Sequence, residues 1–244
     1  FRFLGNENRF LMKDVFGKAL LDYQNGNYTE DIITATSISD EDLLPLDYLF
    51  RSYSEMPQLE QKALQLAKGS VLDVGAGAGS HSLYLQKKGI TIKAIDSSEG
   101  AIAVCKLRGI QHTQLVPLLE ETETFDTILL LMNGTGIFKT LQEVPIHLKH
   151  LKSLLNPNGQ ILIDSSDIKY MYLDEDGGYW HDANSNYYGE LDYFLSYKNE
   201  KEEPLKWLYL DFNTLAIASA SVGLNCEKIM DGDHFDYLAR LSVL

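Results

Sequence analysis

A glycine-rich turn beside a single acidic residue is the segment of this sequence best suited to bind a ligand. Residues 71–74 read Val-Leu-Asp-Val, and residues 75–80 read Gly-Ala-Gly-Ala-Gly-Ser. Glycine lets a ligand come close to the backbone, and the N–H groups at the start of a following helix can bind polar ligand atoms. The pattern predicts a cofactor-binding turn between a strand and a helix. Its candidate contacts are Asp73, Gly75, Ala76, Gly77 and Gly79.

A second acidic residue ends the next apolar run. Asp96 follows residues 91–95 and stands 96 − 73 = 23 positions after Asp73. A carboxylate at the end of a second strand can accept hydrogen bonds from two ribose hydroxyls. Helix capping, worth about 1 kcal/mol, is the alternative role, because Ser97 and Ser98 also precede a helical pattern. We expect Asp96 and Ser97 to contact the cofactor.

Glycine turns of this kind also occur in nicotinamide-dependent oxidoreductases. Their pattern Gly-x-Gly-x-x-Gly requires Gly or Ala at position 80, where this chain has Ser80. The observed spacing is Asp-x-Gly-x-Gly-x-Gly instead. An NAD(P)-dependent oxidoreductase and a non-catalytic cofactor-binding protein remain the two alternatives to the interpretation that follows.

These motifs resemble those of the class I S-adenosylmethionine-dependent methyltransferases. The first motif of that family is an acidic residue two positions before the first glycine of Gly-x-Gly-x-Gly, which Asp73 and the three glycines match. Segments 125–128 and 154–163 agree with later motifs of the family, so the resemblance spans about residues 71–164 and is weaker beyond. It implies S-adenosylmethionine as the cofactor, methyl transfer to a small-molecule acceptor as the reaction, and an acidic residue that organises the turn.

Alternating helical and strand-like patterns through the middle of the chain predict an α/β fold with a doubly wound sheet. With the resemblance, we expect a mostly parallel seven-stranded sheet whose last strand is antiparallel. Residues 61–244 would form this Rossmann-like domain, with a β-hairpin inserted near residues 189–210. Residues 1–60 show helical spacing and would form an N-terminal helical cap.

Acceptor contacts are expected where parallel strands end, since open α/β sheets bind ligands at that edge. Asn133 and Gly134 follow the predicted fourth strand, and Asn133 would also contact the cofactor. Arg51 and Tyr53 belong to the cap, where Arg51 could pair with a carboxylate of the cofactor or the substrate. Trp180 lies in a stretch rich in aromatic residues that would overhang the site. The alternative roles are a plain turn for Asn133 and Gly134, a surface position for Arg51, and packing as half-buried sheet aromatics for the stretch that contains Trp180.

No catalytic base can be named from the sequence. His81 follows the glycine turn and is a candidate, although a histidine at the start of a helix is often structural. An acidic stretch could hold Mg²⁺, but its spacing does not fit a twelve-residue calcium loop, and we expect no metal. The stretch comprises Asp164, Asp167, Asp174, Asp176, His181 and Asp182.

The amino-acid composition disfavours some classes of binding partner. The 244 residues carry 21 Lys and Arg against 35 Asp and Glu, a formal charge of −14, which is unfavourable for nucleic acid and for anionic membrane surfaces. The two cysteines, Cys105 and Cys226, form no metal or disulfide motif and favour a reducing cytoplasm. No membrane association is expected, and the oligomeric state is not determined by the sequence.

Overall fold

This computed structural model describes residues 13–173, 176 and 186–244. The strands are β1 (Ile32–Thr36), β2 (Ser39–Leu44), β3 (Val71–Val74), β4 (Ile92–Asp96), β5 (Thr113–Leu115), β6 (Phe125–Leu130), β7 (Leu155–Ser166), β8 (Glu190–Tyr197), β9 (Glu200–Lys201), β10 (Leu205–Leu208), β11 (Leu224–Asp231) and β12 (Asp236–Val243). The helices are α1 (Val15–Gln24), α2 (Leu46–Leu49), α3 (Gln58–Leu66), α4 (Ser80–Lys87), α5 (Glu99–Leu107), α6 (Val144–Ser153) and α7 (Phe212–Ser221).

Seven strands form the main sheet in the order β11-β12-β7-β6-β3-β4-β5. The pairs β3–β4, β3–β6, β4–β5 and β6–β7 are parallel, whereas β12 runs antiparallel to both β7 and β11. The strand order changes direction at β3, and an open α/β sheet binds ligands at the carboxyl ends of strands at such a point. The expected mostly parallel sheet with an antiparallel last strand is therefore confirmed.

Helices cover both faces of this sheet. One apolar core joins the strands to α6 and α7 and includes Leu148, Leu151 and Leu215, each fully buried. The opposite core joins the strands to α3 and α4 and includes Ala63 and Leu85. Burial on both faces accounts for the continuous apolar run Ile-Leu-Leu at residues 128–130, whose members are all 0% exposed.

A smaller antiparallel sheet lies beside the main one and has the order β10-β8-β1-β2, with β9 paired to β8. Its strands β8 and β10 correspond to the hairpin expected near residues 189–210. Its strands β1 and β2 come from the N-terminal segment, where the sequence analysis expected helices alone. Helix α1 packs between β8 and α5, so Val15, Ala19 and Leu20 share one core with Leu195 and Tyr197.

The N-terminal segment is therefore a mixed helix and hairpin unit in the part that the structure describes. The strands were missed because β2 is acidic and almost wholly exposed, so it has none of the apolar alternation that marks a half-buried strand. It forms a local hairpin with β1, and the pairing of β1 with β8 connects residues about 160 positions apart. None of the described helices has the length and apolar character that crossing a membrane would require.

Candidate active site

The glycine turn lies between β3 and α4, at the carboxyl end of the central strand. Gly75, Gly77 and Gly79 have φ angles of 71°, 53° and 78°, a left-handed conformation that other residues adopt at a cost. The Gly75 and Ala76 N–H groups donate to the Ile95 carbonyl oxygen at 2.9 and 3.1 Å. The turn is thus fixed against β4 by its own backbone.

Gly79 and Gly77 have different surroundings. A Cβ atom on Gly79 would come within 2.3 Å of Ile110 Cδ1, so this position is closed by core packing. Among the residues that the structure describes, a Cβ atom on Gly77 would meet only the ring of Phe16, at 3.9 Å. Gly77 therefore faces the open side of the turn, where a bound molecule can approach the backbone.

Asp73 holds the turn from the buried side. Its side chain is on β3, only 2% of the residue is exposed, and it accepts a hydrogen bond from Ser82 Oγ at 2.6 Å. Because Ser82 is on α4, this bond joins the strand and the helix on either side of the glycines. Burial raises the pKa of the Asp73 carboxyl. Contact between Asp73 and the cofactor itself stays a prediction.

Asp96 is half-buried at the end of β4 and bridges two loops. Its Oδ2 atom accepts a hydrogen bond from the Gly77 N–H at 2.9 Å, and its Oδ1 atom accepts one from the Ser98 N–H at 2.9 Å. Burial raises the pKa of Asp96. The helix cap of α5 is Ser98, whose Oγ atom accepts from the Ala101 N–H. Asp96 is therefore not that cap, and Ser97 is exposed beside it.

A carboxylate offers about four acceptor positions, so Asp96 retains capacity for further donors. This capacity is what two ribose hydroxyls would require. The structure therefore brings together Asp96, Ser97 and the glycine turn, as the sequence analysis expected.

Helix α1 reaches the same site, which the sequence analysis missed. Asp14 caps this helix by accepting from the Gly17 N–H at 2.9 Å through Oδ1. Its Oδ2 atom accepts from the Gly100 N–H at 2.8 Å and from Ser98 Oγ at 2.9 Å. One carboxylate thus serves the first turns of both α1 and α5. The available signal was an Asp directly before the apolar helical run that begins at Val15.

A strained turn follows β6 and carries two more predicted residues. Met132 and Asn133 have φ angles of 66° and 58°, which is uncommon for residues other than glycine. The buried Asp164 carboxylate accepts from the Met132 N–H at 3.1 Å and from the Gly134 N–H at 2.9 Å. Burial raises the pKa of Asp164 to about 6. Asp164 thus binds the turn backbone, a role that the acidic stretch did not reveal.

The side chain of Asn133 connects this turn to its neighbours. Its Oδ1 atom accepts from Ser165 Oγ at 2.9 Å, and its Nδ2 atom donates to the Leu208 carbonyl oxygen at 3.2 Å. Both ends of the amide are therefore engaged with protein. The 3-10 helix Gly134–Phe138 continues from the turn, and Ile137 Cδ1 lies 3.2 Å from where a Cβ atom of Gly75 would be. The β6 turn and the glycine turn are thus neighbours.

Arg51 is placed in a buried charged network. It is 6% exposed, its Nη2 atom lies 2.5 Å from both carboxylate oxygens of Glu60, and its guanidinium stacks on Tyr48 at 4.0 Å. His81 Nε2 lies 2.6 Å from Glu60 Oε2. Burial tends to raise the pKa of Glu60, but the hydrogen bond and charge of His81, together with Arg51, outweigh burial and lower it.

This network occupies most of the hydrogen-bonding capacity of Arg51 and ties His81 to a carboxylate. Arg51 Nε is buried and has no hydrogen-bond partner in the part of the chain that the structure describes. Glu60 was missed because its partners are 9 and 21 positions away, and no local pattern marks such a contact.

The remaining candidates are placed elsewhere or lie outside the described residues. The Tyr53 ring stacks on Tyr84 at 4.0 Å, and its hydroxyl accepts from Gln65 Nε2, so it packs between α3 and α4. Asp167 accepts from the Lys169 N–H and from the Tyr188 hydroxyl. Trp180, Asp174, His181 and Asp182 lie outside the described residues.

Comparisons with known proteins identify the family of this chain. A family model described as a methyltransferase domain matches residues 48–201, more than half of the chain. A solved S-adenosylmethionine-dependent methyltransferase from Bacteroides fragilis, in complex with S-adenosyl-L-homocysteine, is 44% identical, with 95% of each chain covered and a TM-score of 0.89. No protein in a search of curated sequences matches.

More distant structures share the fold alone. The sugar N-methyltransferase KedS8 from Streptoalloteichus sp ATCC 53650 is 16% identical, with 86% of this chain and 97% of that chain covered and a TM-score of 0.58. CalS10 from Micromonospora echinaspora, an amino pentose methyltransferase with S-adenosylmethionine bound, is 12% identical, with coverages of 81% and 94% and a TM-score of 0.56.

Proposed function

The chain belongs to the class I S-adenosylmethionine-dependent methyltransferases, and from that premise we propose which residues hold the cofactor and what kind of acceptor is methylated. The family assignment sets aside the oxidoreductase and the non-catalytic alternatives. We assign cofactor contacts to the glycine turn and to the end of β4. The proposed contacts are Asp73, Gly75, Ala76, Gly77, Gly79, Asp96, Ser97 and Asn133.

The observation that carries this assignment is the bond between Asp96 and Gly77. The Gly77 N–H donates to Asp96 Oδ2 at 2.9 Å, so the carboxylate is held directly beside the open face of the turn. A ribose that binds Asp96 would therefore place the rest of the cofactor over Gly77. Asn133 would contribute through its backbone, because its amide is already bonded to Ser165 and Leu208.

When bound, S-adenosylmethionine supplies an electrophilic methyl group on a positively charged sulfur. The protein then has two tasks, to align the acceptor with that methyl group and to exclude competing water. Alignment alone can contribute several kcal/mol, since a well-oriented pair avoids the entropy of a bimolecular encounter. A strong general base is not required, which agrees with the engagement of His81 by Glu60 at 2.6 Å.

We assign the acceptor to the class of small molecules and place it over the carboxyl ends of β6 and β7. The Gly134 turn forms the floor of that region, and Trp180 and Arg51 are retained as proposed contacts. Tyr53 is a further proposed contact, and both Arg51 and Tyr53 would have to leave their present partners to reach an acceptor, because Arg51 is bonded to Glu60 and the Tyr53 ring packs on Tyr84. The charge of −14 supports an acceptor other than nucleic acid, and the two free cysteines support a cytoplasmic location.

Calorimetric titration of the purified protein with S-adenosylmethionine, S-adenosylhomocysteine and NAD tests the proposal. We expect micromolar binding of the first two, at least tenfold weaker binding in Asp96→Ala, and no binding of NAD. Equal affinity of the wild type and Asp96→Ala would overturn the assignment of Asp96. Glu99→Ala is the control, because Glu99 is exposed three residues further on.

A pair of glycine variants separates ligand contact from backbone strain. Gly77 and Gly89 have φ angles of 53° and 80°, so an alanine strains both positions by roughly 1 kcal/mol. In the described part of the chain, no atom lies within 4 Å of a Cβ atom added to Gly89. We expect Gly77→Ala to weaken S-adenosylhomocysteine binding and Gly89→Ala to leave it unchanged. Equal effects of the two variants would show that Gly77 does not face the cofactor.

A further inference from the structure

A cavity of about 280 Å³ lies where the small sheet meets the carboxyl end of β7. Leu191 on β8 and Tyr209 after β10 form its wall on the side of the small sheet. Ser166, at the end of β7, and Ile168 form the wall on the side of the main sheet. His234, from the turn between β11 and β12, completes it. Small-molecule sites form preferentially at such junctions.

The cavity and the β6 turn both lie at the carboxyl end of β7. Ser165 Oγ lies 2.6 Å from Thr135 Oγ1 and donates to Asn133 Oδ1, and Ser166, the next residue, lines the cavity. The Leu210 N–H also donates to Ser165 Oγ at 2.9 Å, and Tyr209, the residue before it, lines the cavity as well. Two walls of the cavity therefore belong to segments that also bond to the β6 turn or to Ser165, although the Ser165 and Ser166 side chains, consecutive on β7, point to opposite faces of the strand.

The residues that line the cavity supply apolar side chains and aromatic rings. Ile168, Met171 and Leu191 supply apolar surface, and Tyr170 and Tyr209 supply aromatic rings. None of the described residues that line the cavity carries a carboxylate, an ammonium or a guanidinium group. A cation would lose its hydration without gaining an ionic partner there, and an anion would find one only in a protonated His234, so the lining favours a neutral molecule when that imidazole is neutral.

Two hydroxyl groups of the lining are available to a ligand. The hydroxyls of Ser166 and Tyr209 make no hydrogen bond to any residue in the described part of the chain. Burial raises the pKa of Tyr209 to about 12, so its hydroxyl stays protonated and remains a donor at neutral pH. A ligand with its own hydroxyl groups would satisfy both side chains.

We propose that this cavity binds the methyl acceptor and that the acceptor is a neutral phenolic compound of one or two rings. The assignment rests on the proposed methyltransferase function. A cavity of about 280 Å³ is at the lower end of the range of roughly 300–1,000 Å³ typical of ligand pockets, which sets the size of the acceptor. The tyrosine rings and aliphatic side chains favour a flat aromatic ring, and the free hydroxyls favour a hydroxylated one.

The transfer step balances without a further reagent. A lone pair on the phenolic oxygen forms a bond to the methyl carbon, while the bond between that carbon and the sulfur breaks and leaves its electron pair on sulfur. The hydroxyl proton passes to water. The products are an aryl methyl ether and S-adenosylhomocysteine.

The test uses the full chain saturated with S-adenosylhomocysteine and three single-ring probes of similar size: resorcinol, benzoate and benzylamine. Binding is measured by ligand-observed NMR, and saturation with S-adenosylhomocysteine is verified first by calorimetry. We expect resorcinol to bind in the millimolar range and at least fivefold more tightly than either charged probe.

Two variants of cavity residues, Leu191→Trp and Tyr209→Phe, test where the probe binds, and Leu43→Trp is the control. Leu191→Trp fills the cavity and should abolish resorcinol binding, whereas Leu43→Trp adds the same ring to β2, where Leu43 is 61% exposed, and should leave binding unchanged. Tyr209→Phe removes only the hydroxyl and should weaken resorcinol binding about threefold to tenfold. This second variant keeps the test valid if Leu191→Trp does not fold.

The outcomes separate the two proposals. If the protein does not bind S-adenosylhomocysteine, the proposed function fails, and this inference fails with it. If it binds S-adenosylhomocysteine but binds a charged probe more tightly, or binds resorcinol equally well in the wild type, Leu191→Trp and Tyr209→Phe, the phenolic acceptor is overturned and the methyltransferase assignment stands.

Discussion

The Asp164 carboxylate accepts a hydrogen bond from the Gly134 N–H at 2.9 Å, and this bond holds the turn after β6 in place. Its other oxygen accepts from the Met132 N–H at 3.1 Å. The bonds span Met132 and Asn133, two consecutive residues with left-handed backbone. A buried acid thus stabilises a backbone conformation that the sequence disfavours, next to the glycine turn.

Titration of Asp164 should make stability depend on pH. Burial raises its pKa in the folded protein to about 6, above the ordinary value of 3.8, so the folded state binds the proton more tightly than the unfolded state does. The free energy of unfolding should therefore fall by up to about 3 kcal/mol from this group as the pH rises from about 4 to 6. Urea denaturation of the wild type and Asp164→Asn across this range measures the difference.

The same titration should have the opposite effect on ligand binding. Ionisation of Asp164 lowers the stability of the fold but should favour binding of S-adenosylhomocysteine. The ionised carboxylate accepts two backbone N–H groups, and its protonation removes acceptor capacity from the β6 turn. We expect the affinity for S-adenosylhomocysteine to decrease in the wild type below about pH 6 and to show no such step in Asp164→Asn. A step of equal size in both proteins would assign it to another group.

Asp14 should stabilise the N-terminal helix and the proposed cofactor site together. Asp14→Ala removes the cap of α1 and two acceptor contacts to α5, so we expect a loss of about 1–2 kcal/mol in the free energy of unfolding. Asp14→Asn retains one acceptor and should lose less. Because Asp14 joins α1 to the loop after Asp96, S-adenosylhomocysteine should also bind more weakly to Asp14→Ala. Unchanged stability in both variants would contradict this role.

Gly100 permits the close approach of α1 and α5. A Cβ atom on Gly100 would lie 2.4 Å from the backbone carbon and oxygen of Gly17, a distance that requires the helices to separate. We expect Gly100→Ala to destabilise the protein by about 1–3 kcal/mol and to increase hydrogen exchange in α1. Glu99→Ala, a change at an exposed neighbouring position, should show neither effect. Unaltered exchange in α1 would refute the contact.

The buried network of Arg51, Glu60 and His81 should depend on Glu60. Glu60→Ala leaves Arg51 buried without its ionic partner, so we expect a loss of about 3–5 kcal/mol, measured by urea denaturation. The exposed pair of Lys228 and Asp231 is the control, and Lys228→Ala should cost less than about 1 kcal/mol. Similar losses in the two variants would mean that the buried network adds little to stability.

The sequence was sufficient to predict the main sheet and the glycine turn because both depend on local patterns. The strand from Val71 to Val74 precedes the glycine turn as predicted, and Asp96 ends the next strand as predicted. Apolar runs, glycines at left-handed positions and helix caps each depend on residues that are only a few positions apart in the sequence. Such features can be recognised without knowing what lies elsewhere in the chain.

The second sheet and the charged network could not be predicted, because they depend on contacts between distant residues. Strand β1 pairs with β8 across the sequence, and the exposed β2 carries no apolar pattern. Arg51 was expected to be available for a carboxylate of the cofactor or substrate, whereas tertiary packing gives it the carboxylate of Glu60.

The sequence by itself thus determined the fold class and the position of the glycine turn, since periodicity and glycine conformation are properties of short segments, and its resemblance to the methyltransferase family indicated the cofactor. Only the tertiary structure decided which charges are satisfied within the protein. It placed Asp164 under the β6 turn and Asp14 between two helices, because burial makes each carboxylate bind the nearest N–H groups that water can no longer reach.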